Sequence, residues 1–136
     1  MSPSELLKIL TSYREIAVVG ISANPDRPSH WIARYLADQG YEVAGVNPGL
    51  PRLPGLRVVA TLAEAPQPLE IVNVFRASEN VPALVEELLP LKPKVLWLQE
   101  GAENAEAEAR ATAAGIQVVS GRCIYRDHHA LLGANG

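Results

Sequence analysis

Two hydrophobic patterns alternate along the chain. Short, nearly continuous apolar runs rich in β-branched residues occur at Ile16–Gly20, Tyr41–Val46, Ile71–Phe75, Val95–Leu98 and Ile116–Ser120. Runs of this length, apolar on both faces, predict strands that helices cover from either side. Amphipathic stretches lie between them near His30–Gln39, Val81–Leu89 and Asn104–Ala114. Further helices are expected at about Ser4–Ser12 and Arg126–Leu132, and Arg57–Val59 predicts a short extra strand before a one-turn helix at Leu62–Ala65. Regular alternation of β and α units implies an α/β fold with a parallel sheet and right-handed crossovers.

The punctuation agrees with this layout. Gly40 and Gly115 each follow a helical stretch, where a left-handed cap is easiest. Asn104 stands where a helix cap belongs, and Glu106 and Glu108 fall near the positive end of that helix dipole. Leu50–Gly55 contains three prolines or glycines among six residues and reads as a loop. No break in composition marks a second unit. The expectation is one domain over residues 1–136, with a mostly parallel sheet of five or six strands flanked by helices.

Composition narrows the picture further. The 136 residues, 48% hydrophobic and 20% charged, suffice for an ordinary core. No apolar run approaches the roughly 20 residues that span a bilayer, and the N-terminus lacks the basic start of a signal peptide. A cytoplasmic location follows as an expectation. The single cysteine, Cys123, excludes an internal disulfide framework. A formal charge of −3 gives no general attraction to nucleic acid. Neither nucleic acid nor membrane is expected as a partner; a protein partner or homodimer stays open.

Parallel sheets bind ligands outside the carboxyl ends of their strands, where strand order reverses. The richest such segment runs from Val18 through Gly20, Ile21 and Ser22 to Arg27 and Ser29. Here an apolar strand ends in glycine and a polar loop enters a helix, the layout of a pyrophosphate site. Gly20 leaves the backbone open to a ligand, and Ser22 and Ser29 carry hydroxyl donors. Ser29 is also placed to cap a helix beginning at His30, and Arg27 brings a planar cationic fork. The alternative is a tight turn with a surface arginine. The loop is not G-x-G-x-x-G, because Ser22 and Pro25 occupy the later glycine positions.

The end of the second strand, Val46-Asn47-Pro48-Gly49, has no acidic residue. A carboxylate there accepts from the ribose hydroxyls in many NAD sites. It would repel a ribose phosphate by roughly 1–4 kcal/mol at about 4 Å. Its absence admits a phosphorylated ribose, with Asn47 and Pro48 lining an adenosine slot and Arg52 in reach of its phosphate. By themselves, these residues also make a common turn. Phe75 and Arg76 leave the next strand just before a helix. Either they form an apolar wall and a phosphate or adenine contact, or Phe75 is core and Arg76 pairs with Glu79. The fourth main strand ends in Leu98-Gln99-Glu100-Gly101 at the same edge.

Together these segments resemble the small CoA-binding Rossmann proteins related to the nucleotide-binding domain of the succinyl-CoA synthetase alpha subunit. The likeness extends over about residues 10–130 and includes Gly40-Tyr41-Glu42-Val43, Trp97-Leu98-Gln99-Glu100-Gly101, Ala114-Gly115 and Arg122-Cys123. It implies a Rossmann-like domain with coenzyme A or an acyl-CoA as cofactor. The pyrophosphate would map onto Gly20, Ile21, Ser22 and Arg27, and the adenosine side onto Val46, Asn47, Pro48, Phe75 and Arg76. Leu98, Gln99 and Glu100 would lie near the ligand's other flank. The 3′-phosphate of CoA also accounts for the missing acid.

The resemblance does not carry catalysis. The phosphorylated histidine of the synthetase belongs to a further domain, so His30, His128 and His129 inherit no such role. His30 reads as a capping or packing residue, the alternative being a phosphate contact at the helix N-terminus, and His128-His129 as a partly exposed helix face that makes a poor metal pair. Cys123 is either a small interior residue or a thiol activated by Arg122. The function expected is a non-catalytic CoA carrier, sensor or partner module. The alternatives are an NAD(P)-binding oxidoreductase-type domain and an interaction protein with a vestigial cleft.

Overall fold

The computed structural model describes residues 1–50 and 52–133. Six strands form one sheet: β1 (Glu15–Val19), β2 (Glu42–Val46), β3 (Arg57–Val59), β4 (Ile71–Val74), β5 (Val95–Leu98) and β6 (Gln117–Ser120). All pairings are parallel and the order is β3-β2-β1-β4-β5-β6. The chain therefore builds outward from β1 to β3, then returns to the other side of β1 to lay down β4. That reversal lies between β1 and β4. Register aligns the strand ends there: Val19 sits opposite Val46 on one side and Val74 on the other, and Val74 faces Leu98.

Successive strand residues point to opposite faces, and both faces are apolar and covered. Ile16, Val18, Ile71, Val95 and Trp97 pack beneath α1 (Pro3–Ser12), α2 (Pro28–Asp38) and α5 (Ile124–His128). Ala17, Val19, Val72, Val74, Leu96 and Leu98 pack beneath α3 (Val81–Leu88) and α4 (Ala105–Ala113). Each large aliphatic side chain buried this way contributes about 1.5–3 kcal/mol. Burial on both faces is why the strands read as continuous apolar runs. None of the described helices is long and apolar enough to cross a membrane.

Some boundaries differ from the sequence expectation for identifiable reasons. Helix α2 starts at Pro28, with Arg27 at the cap position and no side-chain cap. Proline suits the first helical turn because its missing N–H would have no partner there. Ser29 is therefore inside the helix, not its cap. Asn104 does cap α4, its side chain accepting from the Ala107 N–H at 3.0 Å. Helix α5 begins at Ile124, two residues before the expected start, and gives way to a wider turn over His129–Gly133. Ile124 and His128, one turn apart, supply its inward face. In the Leu50–Gly55 loop, Leu53 bridges Leu56 around Gly55, whose φ is +72°; Pro51 of that loop lies outside the described residues.

His128 is buried rather than partly exposed. Its Nδ1 lies 2.7 Å from the Tyr35 hydroxyl, and its ring meets Tyr35 and Tyr41 edge to face. Burial, and then the neighbouring His129, lower its pKa, while burial first raises that of Tyr35. The tyrosine hydroxyl is thus hydrogen-bonded to a neutral imidazole. The unfolded chain takes up a proton on this residue near pH 6.5, and the folded chain only at lower pH. The stability linked to His128 is therefore full above that value and lost as pH falls towards the folded pKa. The urea midpoint should drop between pH 7.5 and 5.5, and His128→Gln should flatten the drop. An identical slope in the variant would contradict this.

Candidate functional site

At the carboxyl edge, Gly20 joins three strand ends. Its N–H donates to the Val46 carbonyl at 3.0 Å, and its φ of +87° is one that L side chains rarely adopt. A Cβ at this position would run into the Phe75 carbonyl. The missing side chain thus makes room for the end of β4. Ile21 follows with its side chain wholly buried against Gly45, so only its backbone reaches the edge.

The loop after Ile21 is held from within. The Ser22 N–H donates to Ser29 Oγ at 3.0 Å, and Ser22 Oγ accepts from the Asn24 N–H at 3.0 Å. His30 Nδ1 lies 2.8 Å from the Ser22 carbonyl, and His30 Nε2 accepts from Arg34 Nε at 2.8 Å. This pattern places the imidazole proton on Nδ1 and occupies both ring nitrogens. The same Arg34 reaches the Pro54 carbonyl at 2.7 Å, tying the loop after β2 to helix α2. Among the described residues, the N–H groups of Ile21, Ala23 and Ser29 donate to no protein acceptor. These donors sit before and at the N-terminus of α2, where the helix dipole is positive.

The end of β2 is tied to this loop. Asn47 Nδ2 donates to the Ile21 carbonyl at 2.8 Å, while its Oδ1 accepts from the Gly49 N–H at 3.0 Å. Asn47 is therefore both the turn residue and a clasp on the first loop. Val46 is buried, Pro48 is exposed and no carboxylate follows the strand. At the end of β4, the Phe75 N–H bonds the Val19 carbonyl at 2.9 Å and its ring packs at the rim of the core. Arg76 is half-buried and does not pair with Glu79. Arg27 and Arg52 are exposed; like Arg76, they make no side-chain hydrogen bond or ion pair among the described residues. Beyond β5, Leu98 is interior and its carbonyl accepts from Gly121 and Arg122. Glu100 is exposed and 3.2 Å from Arg126.

Beside these strand ends lies a groove of about 390 Å³, lined among others by Trp31, Phe75, Gln99, Cys123, Tyr125 and Arg126. The sequence reading found Phe75, Gln99 and Glu100 but missed Trp31 and Tyr125. Their rings meet edge to face at 4.9 Å, although 94 positions separate them. A hint was available: Trp31 is a large aromatic on the first turn of α2, pointing away from its buried stripe, and it stays 39% exposed. Cys123 is half-buried at the groove, whereas Arg122 directs its guanidinium into two bonds with Asp127, at 2.8 and 2.9 Å. Among the described residues, no group of His, Cys, Asp and Glu is arranged to hold a metal ion.

Comparison with known proteins places this geometry. A family model for the CoA binding domain matches residues 14–129. The uncharacterized protein YneT of Bacillus subtilis (strain 168) is 40% identical over 127 residues, which is 93% of this chain and 94% of that protein. The structure of cell-free ID.343 from Thermus thermophilus matches with a TM-score of 0.92 at 38% identity, over 97% of this chain and 100% of that one. A dinucleotide-forming acetyl-coenzyme A synthetase 1 of Ca. Korarchaeum cryptofilum shares the fold at a TM-score of 0.72 and 24% identity. That match covers 85% of this chain and 27% of the synthetase. With the family match spanning the whole sheet and every loop at its carboxyl edge, the chain belongs to the CoA binding domain family.

Proposed function

We propose that this protein binds coenzyme A or an acyl-CoA across the carboxyl edge of its sheet, as a carrier, sensor or partner module without chemistry of its own. The observation that carries this reading is a set of unused donors. The Ile21, Ala23 and Ser29 N–H groups lie before and at the N-terminus of α2, where an anion is favoured, and donate to no protein acceptor among the described residues. Arg27, Arg52 and Arg76 also follow strand ends with no protein partner among the described residues. The pyrophosphate belongs over Gly20, Ile21 and Ser22, beside Arg27. The phosphorylated adenosine belongs between Val46-Asn47-Pro48 and Phe75-Arg76, with Arg52 nearby. The extended arm then runs past Leu98, Gln99 and Glu100 into the groove. Ser29 acts through its hold on Ser22.

The polar side chains nearest the loop are engaged in shaping it, which favours binding over catalysis. Both ring nitrogens of His30 have partners, and Asn47 uses its donor and its acceptor. Calorimetric titration with CoA, acetyl-CoA, dephospho-CoA, NAD and NADP tests the reading. Saturable binding of CoA and acetyl-CoA is expected, with dephospho-CoA weaker and no specific binding of NAD or NADP. Specific binding of NAD or NADP without CoA would replace this reading with the oxidoreductase alternative.

A further inference from the structure

We infer that Asn73 is a positioning residue for ligand recognition, acting through Gln99. The inference rests on the CoA reading above and assigns a role to a buried pair that neither the fold nor the family match explains. Asn73 is the one polar residue of β4, fully buried between Val18 on β1 and Trp97 on β5. Its Oδ1 accepts from Gln99 Nε2 at 2.6 Å, but its own Nδ2 has no partner. A buried amide N–H left unpaired is destabilising. An aliphatic residue, as at the neighbouring positions of the strand, would avoid that cost. Stability therefore does not account for Asn73.

Its position does. Asn73 shares a sheet face with Phe75, two residues on, and is bonded to Gln99; both partners line the groove. Gln99 is only 5% exposed; one N–H of its Nε2 is held by Asn73, and its Oε1 takes no protein donor among the described residues. Asn73 thus fixes Gln99 as a hydrogen-bond acceptor in an otherwise mainly apolar, aromatic channel. The arm of CoA carries secondary amides, whose N–H groups need an acceptor once removed from water. The occupant assigned to this acceptor is an amide N–H of that arm.

The test is a double-mutant cycle with Asn73→Val and Gln99→Met, titrated with CoA and with adenosine 3′,5′-bisphosphate, which lacks the arm. Each single substitution should weaken CoA binding about ten-fold. The second should add little to the first, because both remove the same contact. Binding of the bisphosphate should be unchanged. Alkylation of Cys123 supplies an independent readout: acetyl-CoA should slow it, and the bisphosphate should not. Additive losses, equal losses for both ligands, or unchanged CoA affinity in Asn73→Val would overturn the role of Asn73 while leaving CoA binding intact. Failure of the wild type to bind CoA at all would overturn the reading beneath it. If Asn73→Val fails to fold, Gln99→Met and Gln99→Glu decide: unaltered CoA affinity in both removes the acceptor and with it the inference.

Discussion

Gly20→Ala should destabilise the protein by about 2–5 kcal/mol, the largest effect expected of any single methyl group at the edge of the sheet. Two independent costs combine. Holding an L side chain in the left-handed region, here at a φ of +87°, costs about 1–2 kcal/mol. Forcing a methyl group into a packed site adds about 1–3 kcal/mol, and here the obstacle is the Phe75 carbonyl, which belongs to the backbone and cannot rotate away. Relief requires β1 and β4 to separate, yet the Phe75 N–H is bonded to the Val19 carbonyl beside the clash. Urea unfolding checks the value; a loss below about 1 kcal/mol would mean that the strand ends yield more easily than this packing implies. Any Gly20→Ala protein that still folds should also bind CoA poorly, because the Ile21 and Ala23 N–H groups hang from the displaced residue.

That result bears on what could be read from the sequence. The glycine was visible at the end of an apolar run, but its reason was not: the atom it avoids belongs to Phe75, 55 positions away. The strands themselves were legible because burial on both faces leaves uninterrupted apolar runs, and even the three-residue β3 falls where expected. Their order was less so, since periodicity reports which faces are buried and not which strands are neighbours. Ser29 looked like a cap because serine before a helix usually is one. Pro28 takes the first helical position instead and frees the Ser29 hydroxyl to hold Ser22. Asn47 likewise read as part of a turn, while its amide also reaches the Ile21 carbonyl from 26 positions away. The groove escaped the sequence for a similar reason: Trp31 and Tyr125 come together only when α2 and α5 share one face of the sheet. Residues that act through local chain chemistry were legible; those that act through a distant partner were not.

Arg76→Ala should give the opposite profile to Gly20→Ala, a large loss of affinity with stability almost untouched. Among the described residues Arg76 has no carboxylate partner and no side-chain hydrogen bond, so its removal breaks no contact of that kind within the fold. Its truncation should change stability by no more than about 0.5 kcal/mol. A charged hydrogen bond to phosphate, by contrast, contributes about 1.5–3 kcal/mol, so CoA should bind roughly 10- to 150-fold more weakly. The half-buried setting of Arg76 favours the upper part of that range over the exposed Arg27, whose contact with phosphate is more screened by water and salt. Dephospho-CoA separates the two roles. If Arg76 holds the 3′-phosphate, Arg76→Ala should weaken CoA but leave dephospho-CoA nearly unchanged, whereas Arg27→Ala on the pyrophosphate should weaken both by the same factor. Equal losses for both ligands in Arg76→Ala would move that arginine to the pyrophosphate. Unchanged CoA affinity would return it to the surface, and Arg52 and the missing acid after β2 would then be the features left favouring a phosphorylated ribose.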